Sequence, residues 1–166
     1  LDQTNAELAE YPSIHQNFVA DMYNGLTKGV TKLRKYQKLI LIFPDFKQPP
    51  GMKEGFLRFC NDNGFTYEVI PDFENHTIEP GEAYVIPNDR HLVNVIEQAR
   101  VQQLRIGKDV GIISYNDIPL KKVVGNGITT ISTDFNAMGK ILAEMIVLQK
   151  RDSVENASKL IQRGSL

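Results

Sequence analysis

Three short polar stretches each follow a run of β-type residues, and their side chains are the strongest candidates for chemistry in this sequence. Asn88 and Asp89 come after AYVI, Asn116 and Asp117 come after VGIISY, and Thr133 closes ITTIST. Amides and hydroxyls donate and accept hydrogen bonds without a fixed charge, which suits a neutral, polyhydroxylated ligand. For each residue taken alone, a role as a helix cap or turn residue is about as good an explanation as ligand binding. The pattern predicts a binding rim only if the three strands are neighbours.

No catalytic or metal-binding pattern accompanies these residues. His15, His76 and His91 are scattered, with no second ligand at metal spacing, and Cys60 lies inside a predicted helix. The sequence has no GxSxG elbow and no P-loop, and the glycines of VVGNGI do not open a helix as a dinucleotide site requires. Asp45 is a single carboxylate where a receiver domain needs an acidic pair. We therefore predict no catalytic residue, no metal, no cofactor and no enzyme activity.

Hydrophobic periodicity predicts alternating helices and strands. The predicted helices cover residues 17–36, 52–63, about 89–104 and 135–150, and the predicted strands cover residues 38–43, 66–70, 83–86, 110–114, 128–132 and 159–163. Gly64 is the predicted C-cap of the second helix. This alternation predicts an α/β fold with a doubly wound, mostly parallel sheet flanked by helices. Ligands bind such sheets beyond the carboxyl ends of the strands, so Asn88, Asn116 and Thr133 are expected on one rim.

The connection between the second and third predicted strands is unusual. FENHTIEPGE is short and broken by proline and glycine, so it is predicted to contain no helix. A parallel connection normally needs a dozen or more residues. We therefore expect a minimal crossover that leaves one face of the sheet thinly covered.

Composition excludes several classes of protein. The 166 residues carry a formal net charge of -1, which gives no basic surface for nucleic acid. One cysteine provides no disulfide framework and predicts a cytoplasmic location. The longest apolar run is too short to span a bilayer, and the first residues do not form a signal peptide, so no membrane partner is expected. The chain opens on Leu1, which predicts a piece of a longer protein whose missing part lies upstream.

Several motifs, in order, resemble the C-terminal half of LacI/GalR-type transcriptional regulators. They are VGIISYNDIPL, ITTISTDFNAMGKILAEMI and LIQRGS, preceded by GMKEGFLRFCNDNG and YVIPNDRHLVNVIEQARVQQLRIGKDV. The resemblance covers nearly the whole chain and is strongest over residues 83–135. It implies a type I periplasmic-binding-protein-like C-terminal lobe that senses an effector. The same sensor also follows GntR-type winged-helix heads, so the type of DNA-binding head stays open.

The resemblance also implies how the chain divides. Residues 1–16 would hold the last strand of an N-terminal lobe and a crossover, and residues 17–133 would form the C-terminal lobe. Residues 134–151 would be a helix returning to the missing lobe, and residues 152–166 would return to the C-terminal lobe. The apolar stripe of that helix is then expected to be exposed or covered by another copy; it consists of Met138, Ile141, Leu142 and Met145. The alternative is a complete small α/β domain in which this helix packs on its own sheet.

Ligand roles carry over from the family position by position. Asn116 stands where the family has Asp, and Thr133 stands where it often has Gln. Met52 replaces the Arg of the family's Arg-x-x-Gly-Phe, which removes a bidentate grip. This change indicates either a ligand with an apolar edge, such as a deoxysugar, or a site that has drifted. Gln16 or Asn17 would lie at the crossover edge of the cleft. The predicted ligand-binding set is Asn88, Asn116, Thr133, Met52, Gln16 and Asp89.

The function implied by the resemblance is the effector-binding and dimerisation part of a DNA-binding regulator, a repressor of carbohydrate utilisation genes. The effector would be a monosaccharide or a sugar phosphate, and DNA would be bound only through a missing N-terminal head. A homodimer is expected, with hinges near Gln16, Thr133 and Asp152. Two alternatives remain open: a periplasmic sugar-binding protein of a transport system, and an enzyme of Rossmann or flavodoxin type.

Overall fold

The computed structural model describes residues 11–44 and 48–166. The elements are β1 (Ser13–His15), α1 (Phe18–Leu33), β2 (Lys38–Ile42), α2 (Pro50–Asn63), β3 (Thr66–Ile70), β4 (Glu82–Ile86), α3 (Asp89–Val101), β5 (Gly111–Tyr115), a 3-10 turn (Pro119–Lys122), β6 (Thr129–Thr133), α4 (Phe135–Val147), β7 (Ser153–Glu155) and β8 (Ser158–Ile161). Asp45 and the segment 1–10, where we predicted the last strand of a preceding lobe, lie outside the described residues.

Six strands form one sheet in the order β3-β2-β4-β5-β6-β8. The five strands from β3 to β6 run parallel, and β8 pairs antiparallel with β6. This confirms the predicted doubly wound, mostly parallel α/β sheet. β1 and β7 form a separate two-stranded parallel sheet that we did not predict. Each of these two strands has three residues, which is too short for an alternating hydrophobic pattern to be recognised.

One face of the sheet packs on α1 and α2. Met22 and Leu26 of α1 and Phe56 and Phe59 of α2 are fully buried in one cluster with Leu41 of β2. The apolar residues of each helix recur at helical spacing in the sequence, which is why both helices were predicted correctly. α2 ends at Gly64 in the left-handed conformation, with φ of 66°, as predicted.

The opposite face is covered by α3 and by the irregular segment 71–81, which contains no helix, as predicted. The expectation that this face is thinly covered is wrong, because Phe73 and Ile78 of the segment are buried against it and Ile40 of β2 is fully buried. Gln98 of α3 accepts a hydrogen bond from the Ile78 backbone N–H at 2.7 Å. A short irregular segment therefore covers this part of the sheet in place of a helix.

The apolar stripe of α4 is less exposed than expected. Met138 and Met145 are only 4% and 6% exposed, because α4 packs against β1. Ile141 and Leu142 are half-buried. The apolar residues that do face solvent lie at the two ends of the helix; they are Phe135, Ile146, Val147 and Leu148.

The contact between α1 and α2 depends on a glycine. A Cβ atom at Gly55 would lie 2.4 Å from the backbone oxygen of Val19, so any side chain must push the helices apart. Gly55→Ala is expected to destabilise the fold by about 1–3 kcal/mol, the usual cost of overpacking. Urea unfolding followed by circular dichroism measures this change.

Gly139 provides the matched control, because it lies inside α4 and no atom beyond the adjacent residues and the backbone of its own helix lies within 4 Å of the Cβ position. Gly139→Ala is expected to raise stability by roughly 0.5–1 kcal/mol through helix propensity alone. Equal effects from both substitutions would contradict the proposed close approach of α1 and α2.

Candidate functional site

The carboxyl ends of β4, β5 and β6 meet at one edge of the sheet. The register pairs Ile86 with Ser114 and Tyr115 with Ile131, so the polar residues after each strand follow at the same level. Asn88 lies two residues beyond β4, Asn116 follows β5 directly, and Thr133 is the last residue of β6. The parallel arrangement on which the predicted rim depends is therefore present.

Asn88 serves as the N-cap of α3. Its Oδ1 accepts a hydrogen bond from the Arg90 backbone N–H at 2.8 Å, and the side chain is half-buried. The cap is the structural role expected for an asparagine before a helix. Any ligand contact made by Asn88 comes in addition to this role.

Asn116 leaves the end of β5 in the left-handed conformation, with φ of 60°. Its backbone N–H donates to the Ile131 oxygen of β6 at 2.8 Å, and its side chain is exposed at the rim. Asparagine tolerates positive φ better than most residues, which explains why this turn does not require glycine.

Thr133 and Gln16 are both buried and contact each other. Thr133 Oγ1 donates a hydrogen bond to Gln16 Oε1, which joins the end of β6 to the segment between β1 and α1. Asn156, between β7 and β8, donates through its backbone N–H to the His15 oxygen and through Nδ2 to the Asp134 oxygen. These bonds join three connecting segments to one another: the one after β1, the one after β6 and the one after β7. All three lie near the predicted hinges.

Asp89 forms an ion pair that was not predicted. Its Oδ1 lies 2.7 Å from Nζ of Lys121, and the Lys121 side chain is only 2% exposed. No sequence signal indicates this pair, because LKK in a loop is typical of solvent-exposed lysines. The same ammonium group also donates to the backbone oxygen of Asn116, so it joins the residue after Asn88 to the end of β5.

Met52 lies in the first turn of α2, but its side chain is buried and does not face the rim. It is 3% exposed and packs in the cluster beneath α1 and α2, together with Phe43 and Phe56. The arrangement gives no support to a ligand role for Met52, which stays a prediction. Of the six predicted site residues, five lie at the sheet edge or at the crossover beside it.

A cavity of about 460 Å³ opens at the crossover beside the rim, within the size range of small-molecule sites. Asn17 caps α1 there, with Oδ1 accepting from the Ala20 N–H at 3.1 Å, and Pro50 begins α2 on the other side. Gln16 also lines this cavity. The sequence indicated Gln16 and Asn17, but the contribution of His15 was missed because β1 was not recognised.

Asp117 is held by a bidentate pair with Arg163. The two guanidinium nitrogens lie 2.7 and 2.8 Å from its carboxylate oxygens, and both side chains are 15% exposed. Hydrogen bonds from Arg163 lower the pKa of Asp117 below its usual value. Thr130 Oγ1 also donates to Asp117. This carboxylate therefore anchors the β5–β6 loop to the C-terminal segment.

Metal-binding and membrane-spanning features are both missing from the described residues. Residues 11–44 and 48–166 contain no group of three or more His, Cys, Asp or Glu side chains placed to hold a metal ion. In the same part of the chain, no helix is long and apolar enough to cross a membrane.

These features define a doubly wound α/β lobe with a polar rim and a cavity at the carboxyl ends of its strands. The chain belongs to the periplasmic binding protein-like domain family, whose model matches residues 33–166. This agrees with the resemblance inferred from the sequence motifs.

Solved structures similar to this chain include transcriptional regulators. A LacI-family transcriptional regulator from Arthrobacter sp. FB24, in complex with lactose, superposes with a TM-score of 0.77 at 15% identity, over 98% of this chain and 69% of that one. The lac repressor dimer bound to operator and the anti-inducer ONPF gives 0.72 at 18% identity, over 96% and 54%. At these identities the likeness is one of fold.

A curated relative is the HTH-type transcriptional regulator KdgR of Bacillus subtilis (strain 168). It is 27% identical over 103 residues, which are 58% of this chain and 30% of KdgR. The chain thus spans about a third of this relative. All three relatives are named as regulators or repressors.

Proposed function

We propose that this chain is the effector-binding part of a DNA-binding transcriptional regulator, and that the effector is a sugar. The observation that carries the proposal is the shared edge formed by the ends of β4, β5 and β6, with the asparagines Asn88 and Asn116 on neighbouring strands. The lactose complex of the Arthrobacter regulator supports the ligand class.

The side chains at the rim favour a neutral ligand. Asn88, Asn116 and Asn17 offer amide groups, and hydrogen bonds between amides and hydroxyls need no charge on either partner. The nearest buried cation, Lys121, is committed to protein oxygens. We propose a monosaccharide as the effector, with a sugar phosphate as the alternative. The ligand screen described below tests both.

We propose that residues 17–133, to which the terminal segment 152–166 returns, act as one lobe of a two-lobed sensor, and that segments 1–16 and 134–151 lead to the other lobe. The bond between Thr133 and Gln16 and those of Asn156 support this division, because they join the connecting segments to one another. An effector controls such a protein only by binding one lobe arrangement more tightly than the other. DNA binding would belong to an N-terminal head outside this chain.

Thermal-shift and calorimetric screening of the intact regulator against neutral sugars and sugar phosphates tests the proposal. A sugar that raises the melting temperature in a dose-dependent way is the expected result. No response to any member of either group would overturn the sugar-sensing function.

Two substitutions then test the rim while preserving the backbone. Asn88→Ser keeps a good helix cap, and Asn116→Gly keeps the left-handed turn, but each removes an amide. Each is expected to weaken sugar binding roughly 2- to 12-fold, the equivalent of one hydrogen bond of about 0.5–1.5 kcal/mol. Isothermal titration calorimetry measures the change. Asn24→Ser, at an exposed position of α1, is the control that should leave affinity unchanged.

We also propose a homodimer formed through the surface between α3 and the 3-10 turn. Val93, Ile118 and Leu120 are 49%, 38% and 58% exposed, around an apolar cavity of about 160 Å³. Contiguous apolar surface is a feature of protein interaction sites. The second copy is favoured as the partner because the matched lac repressor is a dimer.

Leu120→Asp is expected to raise the dimer dissociation constant by more than about tenfold, because it places a charge in an apolar contact. Analytical ultracentrifugation measures this change. Val147→Asp, on the exposed face of α4, is the control that should leave the dimer intact. Dissociation caused by the control alone would instead locate the interface on α4.

A further inference from the structure

Lys121 is buried although it carries a charge. Its side chain is 2% exposed, and a buried ammonium group is unfavourable unless each of its protons has an acceptor. Here the three acceptors are present: the Tyr115 oxygen at 2.7 Å, the Asn116 oxygen at 2.9 Å and Asp89 Oδ1 at 2.7 Å. An ammonium group donates three hydrogen bonds, so these acceptors match its capacity.

The three acceptors belong to two different parts of the rim. The Tyr115 and Asn116 oxygens belong to the peptide groups on either side of Asn116, the residue with φ of 60°. Asp89 is the first residue of α3 and directly follows Asn88. One ammonium group therefore connects the end of β5 to the start of α3.

We propose that Lys121 is a positioning residue that sets the spacing and orientation of Asn88 and Asn116 for ligand binding. This rests on the proposed sugar site, because the two asparagines are its central amides. Lys121 itself does not touch the ligand. Its bonds hold the turn at Asn116 against the first turn of α3, so the amides remain in place before a ligand arrives.

The rival explanation is that Lys121 only fills space between α3 and the loop after β5. Lys121→Met keeps most of the volume and removes the three hydrogen bonds. A space-filling role predicts little local change, because a methionine in an apolar setting often replaces a buried ion without loss of stability. A positioning role predicts that Asn116 and Asn88 lose their fixed conformations even where the protein stays folded.

Solution NMR of the ligand-free protein distinguishes the two. In Lys121→Met, the strong intraresidue NOE between the amide and α protons of Asn116, which its positive φ produces by bringing these two protons close together, is expected to weaken. The Arg90 amide is expected to exchange with solvent at least about fivefold faster, because local opening becomes easier. Asp89→Asn weakens one of the three bonds of Lys121 and is also expected to speed exchange of the Arg90 amide. Lys122→Met, at the exposed neighbouring position, is the control.

Calorimetry with the sugar that gives the largest thermal shift is the second measurement. Lys121→Met is expected to weaken its binding at least about tenfold relative to Lys122→Met, because the amides are no longer held in place before binding. An unchanged Asn116 NOE and unchanged exchange of the Arg90 amide in Lys121→Met would overturn the positioning role, whatever the ligand. If the local changes occur but no sugar binds the unmodified protein, the sugar-sensing function fails and the positioning of the rim stands.

Discussion

Arg163→Met is expected to destabilise the fold by about 3 kcal/mol at pH 7, because it leaves the Asp117 carboxylate buried without its partner. Both side chains are largely buried, and the guanidinium also donates to the Ile128 oxygen at 2.7 Å. The substitution therefore removes two bonds to the carboxylate and one to the backbone beside the next strand. Denaturant unfolding at neutral pH measures the change.

The pH dependence provides a sharper test of the same pair. The pKa of Asp117 is lowered in the folded state by its bonds to Arg163, so folding is favoured by the ionised form. This stabilisation is complete above the unfolded pKa, near 3.9, and is lost as pH falls through the folded pKa. Stability of the unmodified protein should thus decline below about pH 4, and this contribution should vanish in Asp117→Asn.

An exposed pair supplies the control. Arg105 also forms a bidentate pair, with Asp109, but its side chain is 62% exposed. Water screens such a pair, so Arg105→Met should change stability little. Equal losses in the two arginine variants would show that burial of the Asp117–Arg163 pair is not what gives it strength.

Gly107→Ala is the second substitution with a large expected effect. Gly107 has φ of 85°, and a Cβ there would lie 1.9 Å from the backbone oxygen of Gly164. Residue 164 cannot move freely, because the adjacent Ser165 bonds to the Thr129 N–H at 2.8 Å and to the Ile112 oxygen at 2.7 Å. The methyl group must therefore either displace the C-terminal segment or distort the turn at Gly107.

Gly64→Ala separates the conformational penalty of positive φ from the steric penalty of overlap with Gly164. Gly64 also has positive φ, at 66°, but no atom lies within 4 Å of its Cβ position. The alanine there should incur only the left-handed conformational penalty of about 1–2 kcal/mol. Gly107→Ala is expected to lose at least about 2 kcal/mol more, as overpacking costs of about 1–3 kcal/mol imply. Thermal unfolding of both variants measures the difference, and similar melting temperatures would contradict the steric argument.

The sequence predicted the sheet and most of its elements because their signals are local. The strand at Thr66–Ile70 was predicted to the residue, and Gly64 was recognised as a C-cap, since turn residues bound both. The rim residues Asn88 and Asn116 followed from the rule that parallel strands end at one edge.

What was missed depends on contacts between distant residues. The bonds of Lys121 to Asp89 and the β5 end cannot be inferred from a lysine in a polar loop. β1 and β7 are three residues long, and among residues 11–44 and 48–166 they pair with each other. Burial of Met52, Met138 and Met145 likewise depends on how helices pack, which periodicity alone does not determine.

The placement of β8 bears on synthesis at the ribosome. β8 pairs with β6, and Ser165 bonds across β5 and β6, so the sheet is completed only by residues 158–166. Until these residues leave the exit tunnel, one edge of β6 has unpaired backbone groups that another nascent chain could pair with. Final closure of this lobe is therefore delayed until translation has passed β8, and rapid expression at high temperature is expected to favour its aggregation.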